Sequence, residues 1–175
     1  MLQIRERDLP ARDILSLSEA AVHLARQTGG GVFVNDRADI ARCAGAGVHL
    51  TTRSLAADVV RSALGPEISI GVSTHSLAEA VAAENGGADF LVFGPVFETA
   101  SKLKYGSPVG VAALGAVARR LSIPVLALGG LTLGNVHEAI EAGASGIAAI
   151  SLFARAANLE LVVQTIKGFG GLLSK

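Results

Sequence analysis

Three residues near the start of the chain carry groups able to grip an anion. Gln3, Arg5 and Arg7 fall at spacing two, so an extended backbone puts an amide and two guanidiniums on one face. Such planar donors suit a phosphate or diphosphate; the plainer reading is a solvated row of charge on a short edge strand. Asp36 follows an apolar run and by default caps a helix. Beside phosphate-binding cations it would instead hold Mg2+, which usually binds through one or two carboxylates plus phosphate oxygens. Gly129-Gly130 is either a tight turn or a place where an anion reaches backbone amides. The four histidines match no metal spacing: His23 and His137 lie in helical stretches as surface or packing residues, and His49 and His75 lie nearer the polar residues. Cys43, among Ala and Gly, reads as a small apolar filler. No P-loop, dinucleotide fingerprint or nucleophile elbow is present.

These groups need elements to position them, and the chain repeats one unit. Short runs rich in β-branched residues at Leu2–Glu6, Gly31–Asn35, Val48–Thr51, Ile68–Ser73, Phe90–Val96, Pro124–Leu128 and Gly146–Ser151 predict seven strands, mostly apolar on both faces. Ala/Leu-rich stretches between them predict helices. One carries Ile14, Leu17, Ala21 and Leu24 at helical spacing, another Val111, Leu114, Val117 and Leu121, and a short one covers Arg37–Ala44. Ser76 with Glu79 predicts a capping box. Thr132 predicts a cap for the helix leading to Ile140, Gly143 a left-handed stop after it, and Asn85-Gly86-Gly87 another helix end. The repetition demands a parallel α/β sheet, either an open doubly wound sheet or a TIM (β/α)8-type barrel. In both, chemistry gathers where strands end: Asp36 and Arg37, His49 with Thr51, Ser73 to His75, the irregular stretch 98–108, Gly129-Gly130, and Ser151. In a barrel the last two strand–helix loops usually hold phosphate, here Gly129-Gly130 and Ile150-Ser151.

Composition narrows the class. The 175 residues suit one domain over 1–175, with no linker or charge block dividing it. Half are hydrophobic, with six Phe, one Tyr and no Trp, so aliphatic residues must build the core. Fifteen basic residues balance fifteen acidic ones, which argues against nucleic acid as a partner. No apolar run reaches the ~18 residues of a membrane span. MLQIRERDLP is too charged for a signal peptide, and a lone cysteine suits a reducing, cytoplasmic setting.

Seven motifs occur in order: Gln3-Ile4-Arg5-Glu6-Arg7-Asp8, Asn35-Asp36-Arg37-Ala38-Asp39, Gly47-Val48-His49-Leu50, Gly71-Val72-Ser73-Thr74-His75-Ser76, Phe93-Gly94-Pro95-Val96-Phe97, Ala127-Leu128-Gly129-Gly130 and Ala148-Ala149-Ile150-Ser151. Together they resemble the thiamine phosphate synthase/TenI family over nearly the whole chain. The resemblance implies the barrel rather than the open sheet. It implies a transferase joining hydroxymethylpyrimidine diphosphate to thiazole phosphate, releasing diphosphate with Mg2+. By the resemblance Gln3, Arg5 and Arg7 meet the pyrimidine diphosphate, Asn35 helps hold its diphosphate, and Asp36 ligates Mg2+. Ser73 and Lys102 stand near the reacting groups. Thr99 and Ser101 hold the thiazole phosphate with backbone amides around Gly129, Gly130, Ile150 and Ser151.

The chain departs from the synthase pattern in three places. Arg7 stands where Lys is usual, Ser54 stands where the second Mg2+-binding carboxylate is usual, and Glu98 replaces a Pro. Ile4–Arg7 and Phe97–Thr99 resemble the sister branch, the thiazole tautomerases, whose catalytic His position is Pro95 here; His75 or His49 would have to substitute. A tautomerase and a non-catalytic binder of thiazole phosphate are therefore the alternatives, with an unrelated phosphate-binding barrel enzyme behind them. Because Gln3-Ile4-Arg5 matches the family's second strand, the resemblance also implies that a first strand–helix unit is lacking, roughly 25–30 residues. Seven βα units would leave a seam between Leu2–Glu6 and Gly146–Ser151, and with it a homo-oligomer.

Overall fold

The structure is a computed structural model that describes residues 1–99 and 107–170. Strand and helix alternate: β1 (Leu2–Ile4), α1 (Ala11–Arg26), β2 (Val32–Asn35), α2 (Ala38–Ala44), β3 (Gly47–Leu50), α3 (Ala57–Leu64), β4 (Ile70–Thr74), α4 (Leu77–Asn85), β5 (Phe90–Phe93), α5 (Gly110–Arg120), β6 (Val125–Leu128), α6 (Val136–Glu141), β7 (Gly146–Ala148), α7 (Ser151–Ala154) and α8 (Leu159–Gly170). They fall into two compact units. The first holds residues 1–73 and 82–90; the second holds the other described residues.

In the first unit β1, β2, β3 and β4 run parallel in chain order, with Leu2 opposite Val32, Phe33 opposite Gly47 and His49 opposite Gly71. A doubly wound sheet would put a later strand on the far side of β1; here β4 pairs with β3 and the order runs on from β1 through β4, so that alternative is excluded. Alternation puts Ile4, Val32, Val34, Val48, Leu50 and Ile70 on one face, where they share a core with Ile14 and Val22 of α1, Ile40 of α2 and Val60 of α3. The other face is not apolar throughout, contrary to expectation. It carries Gln3, Phe33, Asn35, Gly47, His49, Gly71 and Ser73. Phe33 meets Phe90 edge-to-face, ring centroids 5.0 Å apart. A side chain on Gly47 would run into the Phe33 ring, and one on Gly71 into Phe90. Two glycines thus make room for two aromatic rings, and one step further along each strand the face turns polar.

Helix α1 buries Ile14, Ser18 and Val22, whereas Leu17 and Leu24 are exposed. The expected stripe is rotated because Ser18 can enter the core: its hydroxyl donates to the Ile14 carbonyl at 2.7 Å. In α2 the buried residues are Ile40, Ala41 and Ala44, which leaves Cys43 on the exposed face rather than as a core filler. Arg61 of α3 was given no role by the sequence. Its guanidinium donates to the carbonyls of Gly65, Pro66, Ile68 and Gly87 and pairs with Asp89 at 2.8 Å, closing loops before β4 and β5.

In the second unit β5, β6 and β7 are parallel in chain order, with Val92 opposite Leu126 and Ala127 opposite Ile147. Leu91, Phe93, Leu114, Val117, Val125 and Val136 are buried there, and α5 turns its expected residues Leu114 and Val117 inward. Ser76 accepts from the Glu79 amide at 3.2 Å, as a capping box requires, but the Glu79 carboxylate reaches back to the His75 amide, 2.6 Å, instead of that of Ser76. The helix expected from Thr132 begins at Val136. Asn135 precedes it and accepts from the Thr132 amide at 2.8 Å, while the Thr132 carbonyl receives the Val136 amide. Gly143 takes the expected positive φ, 105°.

Candidate active site

In the first unit the polar ends of four strands are joined by side-chain hydrogen bonds. Gln3 Nε2 donates to Asn35 Oδ1 at 3.0 Å, and Asn35 Nδ2 donates to Asp36 Oδ2 at 2.9 Å. Ser54 Oγ donates to Asp36 Oδ1. Ser54 is held in turn by the Thr51 amide, 2.6 Å, and by Thr51 Oγ1, 3.0 Å. Two chains of donors therefore converge on one carboxylate. Asp36 directly follows β2 with φ 62°, left-handed territory that Asp tolerates better than most residues, and its amide donates to the His49 carbonyl at 2.9 Å.

His49 is almost fully buried, and its Nε2 lies 2.8 Å from Ser73 Oγ. Burial first, and then the nearby positive charge of Arg5, pull its imidazole down to about 4, against an upward pull from Asp36. At neutral pH it is an uncharged ring that fixes the Ser73 hydroxyl. His49 matches no metal or catalytic spacing, and its one signal in the chain is the face it shares with Thr51 at the polar end of β3.

Strand β1 ends at Ile4, so Arg5 and Arg7 do not extend the Gln3 face as expected. Its pairing with β2 stops at Val34, one residue before β2 itself ends. Both guanidiniums lie exposed in the following loop and have no hydrogen bond or ion pair among the described residues. Arg37 is otherwise engaged: it grips Asp39 with two bonds, 2.9 and 2.5 Å, and that hydrogen-bonded contact holds the Asp39 carboxyl below the usual carboxylate range. The loops after β1 and β2 thus offer two cations, Arg5 and Arg7, uncommitted among the described residues, and the carboxylates of Glu6, Asp8 and Asp36, of which Asp36 is the one held in the hydrogen-bonded cluster.

In the second unit the candidate groups are backbone. The chain after β5 stays paired to the chain after β6, Val96 donating to the Leu128 carbonyl at 2.8 Å and Phe97 to that of Gly129 at 3.1 Å. Gly129 and Gly130 have φ of 98° and 65°. A Cβ on Gly129 would lie 2.6 Å from the Pro95 side chain, and one on Gly130 2.7 Å from the Phe97 carbonyl carbon. Asn135 Nδ2 occupies the Gly130 carbonyl at 3.0 Å. The carbonyls are taken, whereas the amides of Gly129 and Gly130 donate to nothing among the described residues. Leu128 and Ala148 are opposite each other, so Gly129-Gly130 and Ile150-Ser151 leave adjacent strands at the same end. Ser151 opens α7 instead of ending a strand, because β7 stops at Ala148. Ile150 is 76% exposed. Thr99 is half-buried; Ser101 and Lys102 lie outside the described residues.

A model of the family described as thiamine monophosphate synthase matches residues 1–153. The chain belongs to this family. A putative thiamine-phosphate synthase of Geobacter sulfurreducens is 49% identical over 151 residues, 86% of this chain and 71% of the relative. A thiamine-phosphate synthase of Chlorobium phaeovibrioides is 48% identical over 156 residues, covering 89% and 75%. Among solved structures, the thiamine phosphate pyrophosphorylase of Pyrococcus furiosus superposes with a TM-score of 0.87 at 30% identity, over 99% of this chain and 83% of that one. The fold class is accordingly the α/β TIM type expected from the family's motifs. No helix among the described residues is long and apolar enough to cross a membrane.

A Mg2+ ion requires hard oxygen ligands. The hydrogen-bonded cluster of the first unit supplies one carboxylate, Asp36, with the Ser54 hydroxyl beside it. Among the described residues no group of three or more acidic, His or Cys side chains is placed to hold a metal. Each Asp36 oxygen receives one donor and keeps a lone pair. The donor set fits a Mg2+ ion that takes its remaining ligands from phosphate oxygens and water.

Proposed function

We propose that this protein makes thiamine phosphate, joining a hydroxymethylpyrimidine diphosphate to a thiazole phosphate with release of diphosphate. The bond from the pyrimidine methylene carbon to the diphosphate oxygen breaks, and the oxygen keeps the electron pair. The thiazole nitrogen lone pair then forms the new carbon–nitrogen bond. No net proton transfer is needed, so the protein's task is to stabilise a departing anion and hold the carbocation beside its nucleophile.

The observation that carries this reading is the convergence of donors on Asp36 after β2, with Arg5 and Arg7, two cations without partners among the described residues, in the loop after the neighbouring strand β1. Arg5 and Arg7 supply positive charge to the diphosphate, and Gln3 orients Asn35 toward it. Mg2+, when bound at Asp36, would neutralise charge on the leaving diphosphate. Ser73, fixed by neutral His49, faces the reacting group as a hydroxyl of set direction. The amides around Gly130, Ile150 and Ser151, with Thr99 and Ser101, receive the thiazole phosphate. Lys102 adds a cation for the diphosphate.

A tautomerase needs an acid–base group, and Pro95 offers none. His49, at about 4, is a weak base already bonded to Ser73. His75 is tied to Glu79, with 3.2 Å between Nδ1 and the carboxylate. The test is to incubate the protein with both substrates and Mg2+ and look for thiamine phosphate. A folded protein that forms none at any Mg2+ concentration sinks the proposal, and turnover of the thiazole carboxylate phosphate tautomer would establish the other branch. A cytoplasmic site, suited to a single cysteine, and self-association through the exposed apolar residues Met1 and Leu2 at β1 complete the proposal. A monomer in sedimentation at micromolar concentration would remove the last point.

A further inference from the structure

We infer that Asp36 binds a divalent cation only together with a diphosphate, and that Ser54 is the residue responsible. The inference rests on the functional reading above and deepens it. Ser54 has one proton and two acceptor positions. The Thr51 amide takes one acceptor position, and the Thr51 hydroxyl fits the other when it donates. The Ser54 proton is then left for Asp36, which is where the geometry sends it. Asn35 completes the pattern, since its carbonyl oxygen is committed to Gln3 and its amide must point a donor at the other Asp36 oxygen. The carboxylate is satisfied by two neutral donors, each fixed by a further bond.

Two consequences follow. First, a hydrated cation arriving alone finds a carboxylate already solvated by the protein, with the neutral Ser54 hydroxyl rather than a second charge hydrogen-bonded beside it. It would surrender tightly held water for little return, as Mg2+ dehydrates reluctantly. Second, a diphosphate arriving alone meets Arg5 and Arg7 but also the negative Asp36. Only the pair removes both deficits: the diphosphate brings the anionic oxygens that the cation lacks, and the cation cancels the repulsion between diphosphate and Asp36. Ser54 therefore sets a binding order in which metal and diphosphate enter as one complex. A carboxylate in its place would let the metal bind first.

Mn2+ and inorganic diphosphate are suitable probes, read by calorimetry and by the Mn2+ paramagnetic signal on the full chain. Mn2+ alone should show no saturable site at micromolar concentration, and diphosphate should bind about tenfold or more tightly with Mn2+ than without. Asp36→Asn should abolish that synergy. Ser54→Asp should bind Mn2+ alone about 10–100-fold more tightly than the parent. Ser54→Ala, which adds no charge, should still show no site for Mn2+ alone, and it keeps the test open if Ser54→Asp melts early. Saturable micromolar binding of Mn2+ alone that Asp36→Asn removes would overturn the inference, as would diphosphate binding indifferent to Mn2+. Either result leaves the proposed synthesis standing if thiamine phosphate forms. Synergy without synthesis would defeat the proposed function and spare the binding order.

Discussion

The two units meet chemistry in different ways. The first presents side chains: Gln3, Asn35, Asp36, Ser54, His49 and Ser73 are tied by hydrogen bonds. The second presents backbone, with Gly129 and Gly130 at positive φ, their carbonyls occupied and their amides without a partner among the described residues. The contrast suits the ligands proposed for each. A leaving group that gains charge needs cations and a metal-binding carboxylate, whereas a phosphate that is only held can be served by amides. It also predicts different fragility. A side-chain site fails when chemistry is removed, and a backbone site fails when a single carbon is added.

The largest expected effect lies in the first unit. Asp36→Ala should cut kcat/KM for thiamine phosphate formation by roughly 10²–10³-fold, an order typical of losing one charge-stabilising group, with little change in melting temperature. A loss of stability that tracks the loss of rate would make Asp36 structural and blur the contrast. Next is His49. Its folded-state value of about 4 lies below its ordinary 6.5, so the unfolded chain binds the extra proton between these values. Stability is therefore full above about pH 6.5 and falls as pH drops toward 4. The cost from this group is about 3 kcal/mol at the acid end. Denaturant titrations at pH 7 and pH 4 should show His49→Asn losing that much of the slope; an unchanged slope would mean that the ring is not held neutral.

In the second unit, Gly130→Ala should cost about 2–3 kcal/mol, from the added carbon against Phe97 and the positive φ. If thermal melts show the variant as stable as the parent, the loop is not fixed by backbone contact. The smallest effect concerns Thr74, whose Oγ1 is buried with no partner among the described residues. Thr74→Val should be neutral or raise stability by about 1 kcal/mol, because it removes an unsatisfied hydroxyl from an apolar setting. A clear destabilisation would point to a bond that Thr74 makes and would place polar side-chain chemistry in the second unit as well.

Much of the site was legible in the residues. The strands and helices followed from their periodicity, and the motifs carried the family. The strand ends were less so. Periodicity continues through Arg5 and Arg7, but pairing does not: it stops at Ile4 opposite Val34 while β2 runs on to Asn35 against β3. The α1 stripe failed because hydrophobicity alone cannot show that Ser18 returns its proton to its own helix. Ser54 read as the absence of an acid. Only the fold shows that its hydroxyl lies on Asp36, eighteen residues earlier.

The sequence by itself determined the parallel α/β alternation, the residue types of the site and the loops that bear them, because these depend on local spacing and on groups written into the chain. The tertiary structure decided which groups are spent and which remain. Arg37 and Arg61 are consumed by Asp39, Asp89 and carbonyls, while Arg5 and Arg7 meet no such partner among the described residues. His49 is neutral because it is buried, and Gly130 is needed because the Phe97 backbone passes beside it. Burial and close approach are properties of several segments at once, so no single stretch of sequence can state them.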